Sequence, residues 1–144
     1  MIVVGTDGSE SAAAALETAI ELASASGDEL VVVTAWRPLH GDFGVPYDRL
    51  LDPSSAEIER DWAGETAEAA AARARAAGAD VRVEIREGDA AKAICDVARE
   101  ADARLVVVGT HGAGPLEAAI LGSVSRGVLR RAPCSVLVAL RKSP

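Results

Sequence analysis

Four aromatic side chains, two lysines, two cysteines and two histidines in 144 residues leave this sequence few of the groups that usually carry chemistry. With aromatics at 3%, a core has to come from Val, Leu, Ile and Ala, and a hydrophobic content of 49% is enough to build one domain's worth over residues 1–144. Cys95 and Cys134 have no second Cys or His at ligand spacing, so they read as small core residues of a reduced compartment. No apolar run approaches membrane-spanning length, and the opening Met-Ile-Val-Val-Gly-Thr-Asp is a strand, not a basic region ahead of a long apolar one. A cytoplasmic protein without membrane contact is the expectation. The net charge of −7 denies the chain the basic surface of a general nucleic-acid binder. Only Lys92 and Lys142 are lysines and no G-x4-G-K-[ST] occurs, so there is no P-loop.

What is present is a regular alternation of strand and helix. Residues 2–6 form a continuous apolar strand, which suits the middle of a parallel sheet; Asp7, Gly8 and Ser9 make a turn. A helix follows to about Ser26 with Ala12, Leu16, Ala19, Ile20 and Ala23 on one stripe, and Gly27 ends it. Strand two is Glu29–Trp36, and the stretch Arg37–Pro53, scattered with prolines and glycines, reads as a long loop. Ser54-Ser55-Ala56-Glu57 is a capping box for an Ala-rich helix to about Ala77, stopped by Gly78. Strand three, Asp80–Glu87, alternates Val81, Val83 and Ile85 with Arg82, Glu84 and Arg86. Asp89 caps the third helix, whose stripe is Ile94, Val97, Ala98 and Ala101. Strand four (Leu105–Val108), a fourth helix with Val124, Val128 and Leu129 facing in, and strand five (Ser135–Leu140) complete the series, followed by the basic tail Arg141–Pro144. This alternation implies an α/β fold, a doubly wound open parallel sheet with helices on both faces and right-handed crossovers.

The most informative stretch is Leu105–Val124. Four branched residues empty into Gly109, Gly112 and Gly114, after which Gly122 and Ser123 open an apolar helix. Glycine lets backbone pass close to a ligand, and the free N–H groups of a helix start attract anions. This loop also lies in the one basic part of the chain. Residues 1–108 carry 10 Lys/Arg against 21 Asp/Glu, a net −11, whereas residues 109–144 carry 5 against 1, a net +4.

Gly109, Gly112, Gly122 and Ser123 match the spacing G-x2-G-x9-G-[ST], which resembles the ATP-binding branch of the universal stress protein family. Residues 5–11 (Gly-Thr-Asp-Gly-Ser-Glu-Ser), 87–94 (Glu-Gly-Asp-Ala-Ala-Lys-Ala-Ile) and 122–138, which run from Gly-Ser-Val-Ser to Ser-Val-Leu-Val, are similar to its three recurrent blocks. The resemblance implies a sheet of order 3-2-1-4-5, a bound ATP and a homodimer paired through strand five. Carried over by position, it puts Gly109, Gly112, Gly122 and Ser123 on the phosphates, with Val124 and Ser125 contributing at the helix start. Asp7 would meet the adenosine end and the backbone near Ala35 the adenine, while Thr6 and Gly88 would line the mouth. An Mg²⁺ or Mn²⁺ held by Asp7 and bridging the phosphates is an option that rests on one carboxylate. The implied function is a nucleotide-dependent dimeric stress-response or signalling module with at most slow hydrolysis.

Plainer explanations stand beside these. Asp7 would also serve as the cap of helix one, and the glycines as a tight turn. His111 lies inside the loop without an identified carboxylate partner, which favours a loop histidine or a phosphate contact over a general base. Trp36, Phe43 and Tyr47 would either cover a nucleotide base or plug their own loop, and His40 beside them reads as solvated. Arg126, Arg130 and Arg131 would draw in anions or simply form a solvated helix face.

In a sheet of order 3-2-1-4-5 the ligand belongs between strands one and four, where the order reverses. The edges differ. Strand three carries charge, whereas Val136, Leu137, Val138, Ala139 and Leu140 of strand five carry none, and an unguarded apolar edge implies a partner, most simply a second copy. Two other function classes stay open: an ATP-consuming enzyme using His111 or Asp7, and a dimeric interaction module with an empty pocket.

Overall fold

Ile2-Val3-Val4-Gly5 offers a polar side chain to neither face, and such a segment is stable only where helices cover both. In the computed structural model, which describes residues 1–38, 54–111 and 121–140, it is β1 (Ile2–Gly5), the central strand of a parallel sheet. The elements that follow are α1 (Glu10–Ser26), β2 (Leu30–Trp36), α2 (Ser54–Ala76), β3 (Val81–Glu87), α3 (Ala90–Glu100), β4 (Leu105–Gly109), α4 (Ser123–Arg131) and β5 (Ser135–Ala139). The sheet order is β3-β2-β1-β4-β5, the order the resemblance implies. Its register sets Ile2 beside Leu30 and Leu105, and Val4 beside Val32 and Val107.

Two cores result, one on each face. Ile2, Val4, Leu30, Val32 and Val107 meet α1 and α2, whose buried face in α2 is alanine alone: Ala63, Ala67, Ala70, Ala71 and Ala74. Val3, Val31, Val33, Val106 and Val108 meet α3 and α4 through Ile94, Val97, Ala98 and Val128. The alanines bring α2 close to the sheet without aromatic filling, which answers the shortage noted above.

Element ends differ from expectation in small ways with physical causes. Thr6 leaves β1 although its N–H still donates to the Val33 carbonyl at 2.9 Å. Leu129 does not face in: it is 48% exposed, because α4 touches the sheet through Val124 and Val128 and Ser125 takes the remaining buried position. Ile85, within the edge strand β3, and Leu140, just past the edge strand β5, are likewise exposed. Along β3, Arg82 and Arg86 bracket Glu84 at 2.9 and 3.1 Å, and Arg86 reaches Glu100 at 2.7 Å, so this edge is charged as expected. His40, Phe43, Tyr47, Gly112, Gly114 and the tail from Arg141 lie outside the described residues.

At the amino ends of the strands, Asp28 accepts hydrogen bonds from the Arg104 guanidinium (2.7 Å), the Met1 amino group (2.8 Å) and the Ser26 hydroxyl (2.5 Å). Arg104 first, then the amino group and Ser26, hold its carboxyl well below the usual carboxylate range. A lowered folded-state pKa contributes stability that is fully present above the ordinary carboxylate range and is lost as pH falls through the folded value. Asp28→Asn is therefore expected to lower Tm near neutral pH, with the gap to the parent closing below about pH 3. Calorimetry across that range checks this, and a gap independent of pH contradicts it.

Candidate functional site

β1 feeds α1 on one face of the sheet and β4 feeds α4 on the other, so the chain diverges at their carboxyl ends and leaves a crevice. A cavity of about 140 Å³ opens there. Thr6 and Asp7 line it from the end of β1, Ala35 from β2, Gly109 and His111 from β4, and Gly122, Ser123, Val124 and Ser125 from the start of α4. Gly112 lies outside the described residues. Gly88 does not line the cavity. Its φ of +119° is what requires glycine, and its N–H donates to the Trp36 carbonyl at 2.8 Å.

The helix starts differ in how their amides are satisfied. Ser9 caps α1, its hydroxyl accepting from the Ala12 N–H at 3.1 Å, and Asp89 caps α3, accepting from the Lys92 N–H at 2.9 Å. α4 has no such group: its cap is Gly122, whose own N–H donates to the Thr110 carbonyl at 2.7 Å. The first amides of α4, those of Ser123, Val124 and Ser125, precede the first intrahelical donor, the Arg126 N–H that bonds the Gly122 carbonyl at 3.1 Å, and their residues border the cavity. Concentrated N–H groups and the positive end of the helix dipole make this wall attractive to an anion.

The structure resolves the double reading of Asp7. Ser9, not Asp7, caps α1; Asp7 turns its Oδ1 to the Ser9 N–H at 3.0 Å, and Oδ2 has no partner among the described residues. No group of three His, Cys, Asp or Glu able to hold a metal occurs among the described residues. Asp7 thus offers a single carboxylate, which suits a cation carried largely by phosphate oxygens.

Three contacts were not legible beforehand. Gly109 has a helix beside it: a Cβ there would meet the Ser11 backbone carbonyl at 2.5 to 2.6 Å. Ser125 is 2% exposed, and its hydroxyl donates to the Gly109 carbonyl at 2.6 Å, which anchors the start of α4 to the end of β4. Val33, Ile94 and Val108 supply an apolar floor. Hydrophobic pattern alone could have marked these last as strand and helix ends, but not as neighbours.

Other candidates fall away from the site. Arg126, Arg130 and Arg131 are exposed, none lines the cavity, and Arg131 pairs with Asp89 at 3.3 Å, so they form a solvated helix face. Cys95 and Cys134 are free, and burial pushes both thiols up, away from reactivity. No described helix is long and apolar enough to cross a membrane.

Comparison with known proteins agrees with this architecture. The model of the universal stress protein family matches residues 1–139. A universal stress protein of Mycobacterium tuberculosis is 37% identical over 139 residues, 95% of this chain and 93% of that one. The crystal structure of a universal stress protein in complex with cAMP superposes with a TM-score of 0.69 at 29% identity, covering 98% of this chain and 97% of that one. A universal stress protein from Archaeoglobus fulgidus in complex with dAMP gives 0.66 at 26% identity, with 96% and 95% covered.

The Gly109 contact yields a stability prediction. Because the atoms in the way belong to helix backbone and cannot swing aside, Gly109→Ala is expected to cost about 1–3 kcal/mol. Denaturant unfolding of the purified variant measures it, and unchanged stability would show that α1 does not approach β4 this closely.

Proposed function

The chain belongs to the universal stress protein family, and on that footing we propose that it binds an adenine nucleotide, ATP in the first instance, in the crevice between β1 and β4. One observation carries this reading: among the helices with a described cap, α4 alone begins without a side-chain cap, and its free amides border the cavity. Phosphates would take the place of that missing cap, on the amides of Ser123, Val124 and Ser125 with Gly109 and Gly112 alongside. The base would lie against the apolar floor toward Ala35, and the sugar toward Asp7 and Thr6. Asp7 would supply the one protein carboxylate to a phosphate-borne Mg²⁺ or Mn²⁺.

Among the described residues no lysine lines the cavity, so charge developing on a transferring phosphoryl group would meet amide dipoles, the His111 ring and a phosphate-borne cation in place of a lysine. The protein then holds nucleotide and turns it over slowly at most, acting in the cytoplasm as a signalling or stress-response module whose surface depends on what is bound. A smaller ligand is the second reading. Two structural relatives are complexes with cAMP and dAMP, each carrying a single phosphate. The uncharged edge of β5, with Val136, Leu137 and Val138 half-buried, supports pairing with a second copy.

Two measurements test these statements. Denaturing the purified protein and chromatographing what it releases is expected to give intact ATP in stoichiometric amount, and added Mg-ATP should raise Tm. AMP or cAMP in its place favours the monophosphate reading, and multiple turnovers to ADP would make the protein an enzyme. No ligand and no Tm shift with any of these overturns the proposal. Light scattering is expected to read about twice the 14.8 kDa of one chain; a monomer would overturn pairing through β5.

A further inference from the structure

Beside the free amides of α4 stand three residues joined to one another by hydrogen bonds. The His111 N–H donates to the Ser11 hydroxyl at 3.1 Å, Ser11 Oγ lies 3.2 Å from Thr110 Oγ1, and Thr110 Oγ1 lies 3.0 Å from His111 Nδ1. Thr110 is 7% exposed and Ser11 is half-buried, so neither hydroxyl is freely solvated. Ser11 Oγ already accepts an amide proton. Of the ways to place the two hydroxyl hydrogens, one employs both within the trio: Ser11 donates to Thr110, and Thr110 donates to His111 Nδ1. Nδ1 is then an acceptor, and the neutral ring must carry its proton on Nε2. Nε2 is buried and has no hydrogen-bond partner among the described residues, while the ring lines the cavity. A buried donor left without an acceptor is costly, and the cavity that the ring lines is where an acceptor could come from.

We propose that Ser11 and Thr110 are positioning residues that lock His111 in its Nε2–H form, and that this N–H donates to a phosphoryl oxygen of the bound nucleotide. The proposal rests on the nucleotide reading above and adds the relay and the donor to it. The acceptor is a phosphoryl oxygen because His111 lines the same cavity as the amide end of α4, whose Gly122 N–H is bonded to the neighbouring Thr110 carbonyl at 2.7 Å. The helix amides attract the anion, and His111 fixes which way its oxygens point. A serine on α1 thereby tunes a ligand contact that it does not touch.

Two readouts on the full-length protein separate the relay from the nucleotide. NMR of the isotopically labelled ring nitrogens, read in the neutral form of the ring, is expected to show His111 protonated on Nε2 before any ligand is added. Thr110→Val or Ser11→Ala should turn that single form into a mixture of tautomers. A mixture in the parent, or a proton on Nδ1, overturns the relay. Calorimetric titration with ATP is then expected to show His111→Gln, whose amide nitrogen stands where Nε2 does, binding within about 3-fold of the parent. His111→Asn and His111→Ala should lose about 10-fold, the worth of one hydrogen bond to a charged acceptor. Equal loss in all three variants overturns the donor role. If the parent binds no nucleotide, the ligand half of the proposal falls with the proposed function, and the tautomer measurement still decides the relay.

Discussion

The cavity depends on how closely the first turn of α1 approaches the end of β4. At Gly109 the two backbones are so near that no side chain could stand between them, and the same approach brings Ser11 within hydrogen-bonding distance of the Thr110 hydroxyl and the His111 amide. From the opposite face, Ser125 and Gly122 bind the Gly109 and Thr110 carbonyls. Two helices on different sides of the sheet are thus tied to the same two residues, Gly109 at the end of β4 and Thr110 just beyond it. What remains between them is a crevice with an apolar floor and an amide wall.

This arrangement assigns the glycines different tasks. Gly109 is required by protein packing, whether or not a ligand is present. Gly122, with φ of −65° and ψ of 168°, sits in a conformation open to any residue, and what distinguishes it is the absence of a side chain that would cap α4. Withholding the cap leaves amide donors for something else to satisfy, and a phosphate meets that need without a lysine or a metal cage. Binding of this kind favours retention over rapid chemistry, since the donors serve ground state and transition state alike.

Most of the fold was legible in the sequence because its signals are local. Strands buried on both faces read as unbroken Val and Ile runs, and Gly27, Asp89 and Gly78 stand at helix ends where their backbone or side-chain chemistry places them. The sheet order came from the resemblance of three sequence blocks. The spacing from Gly109 to Ser123 marked the candidate site in the sequence, and Gly109, Gly122 and Ser123 line one cavity. The fine structure of the site was not legible, because the partners are far apart in the chain: Ser11 and Thr110 are separated by 99 residues. Asp7 was ambiguous for a different reason. Asp and Ser are both good caps, and only geometry shows that Ser9 takes that role and leaves Asp7 with a free oxygen at the crevice.

The central claim is that the uncapped start of α4 is the anion-holding element. Following backbone amide resonances by NMR while ATP is added tests it most directly. The account predicts the largest shifts at the N–H groups of Ser123, Val124 and Ser125, with those of α1 and α3, already capped by Ser9 and Asp89, nearly unmoved. Saturable binding that leaves the α4 amides unshifted would contradict it.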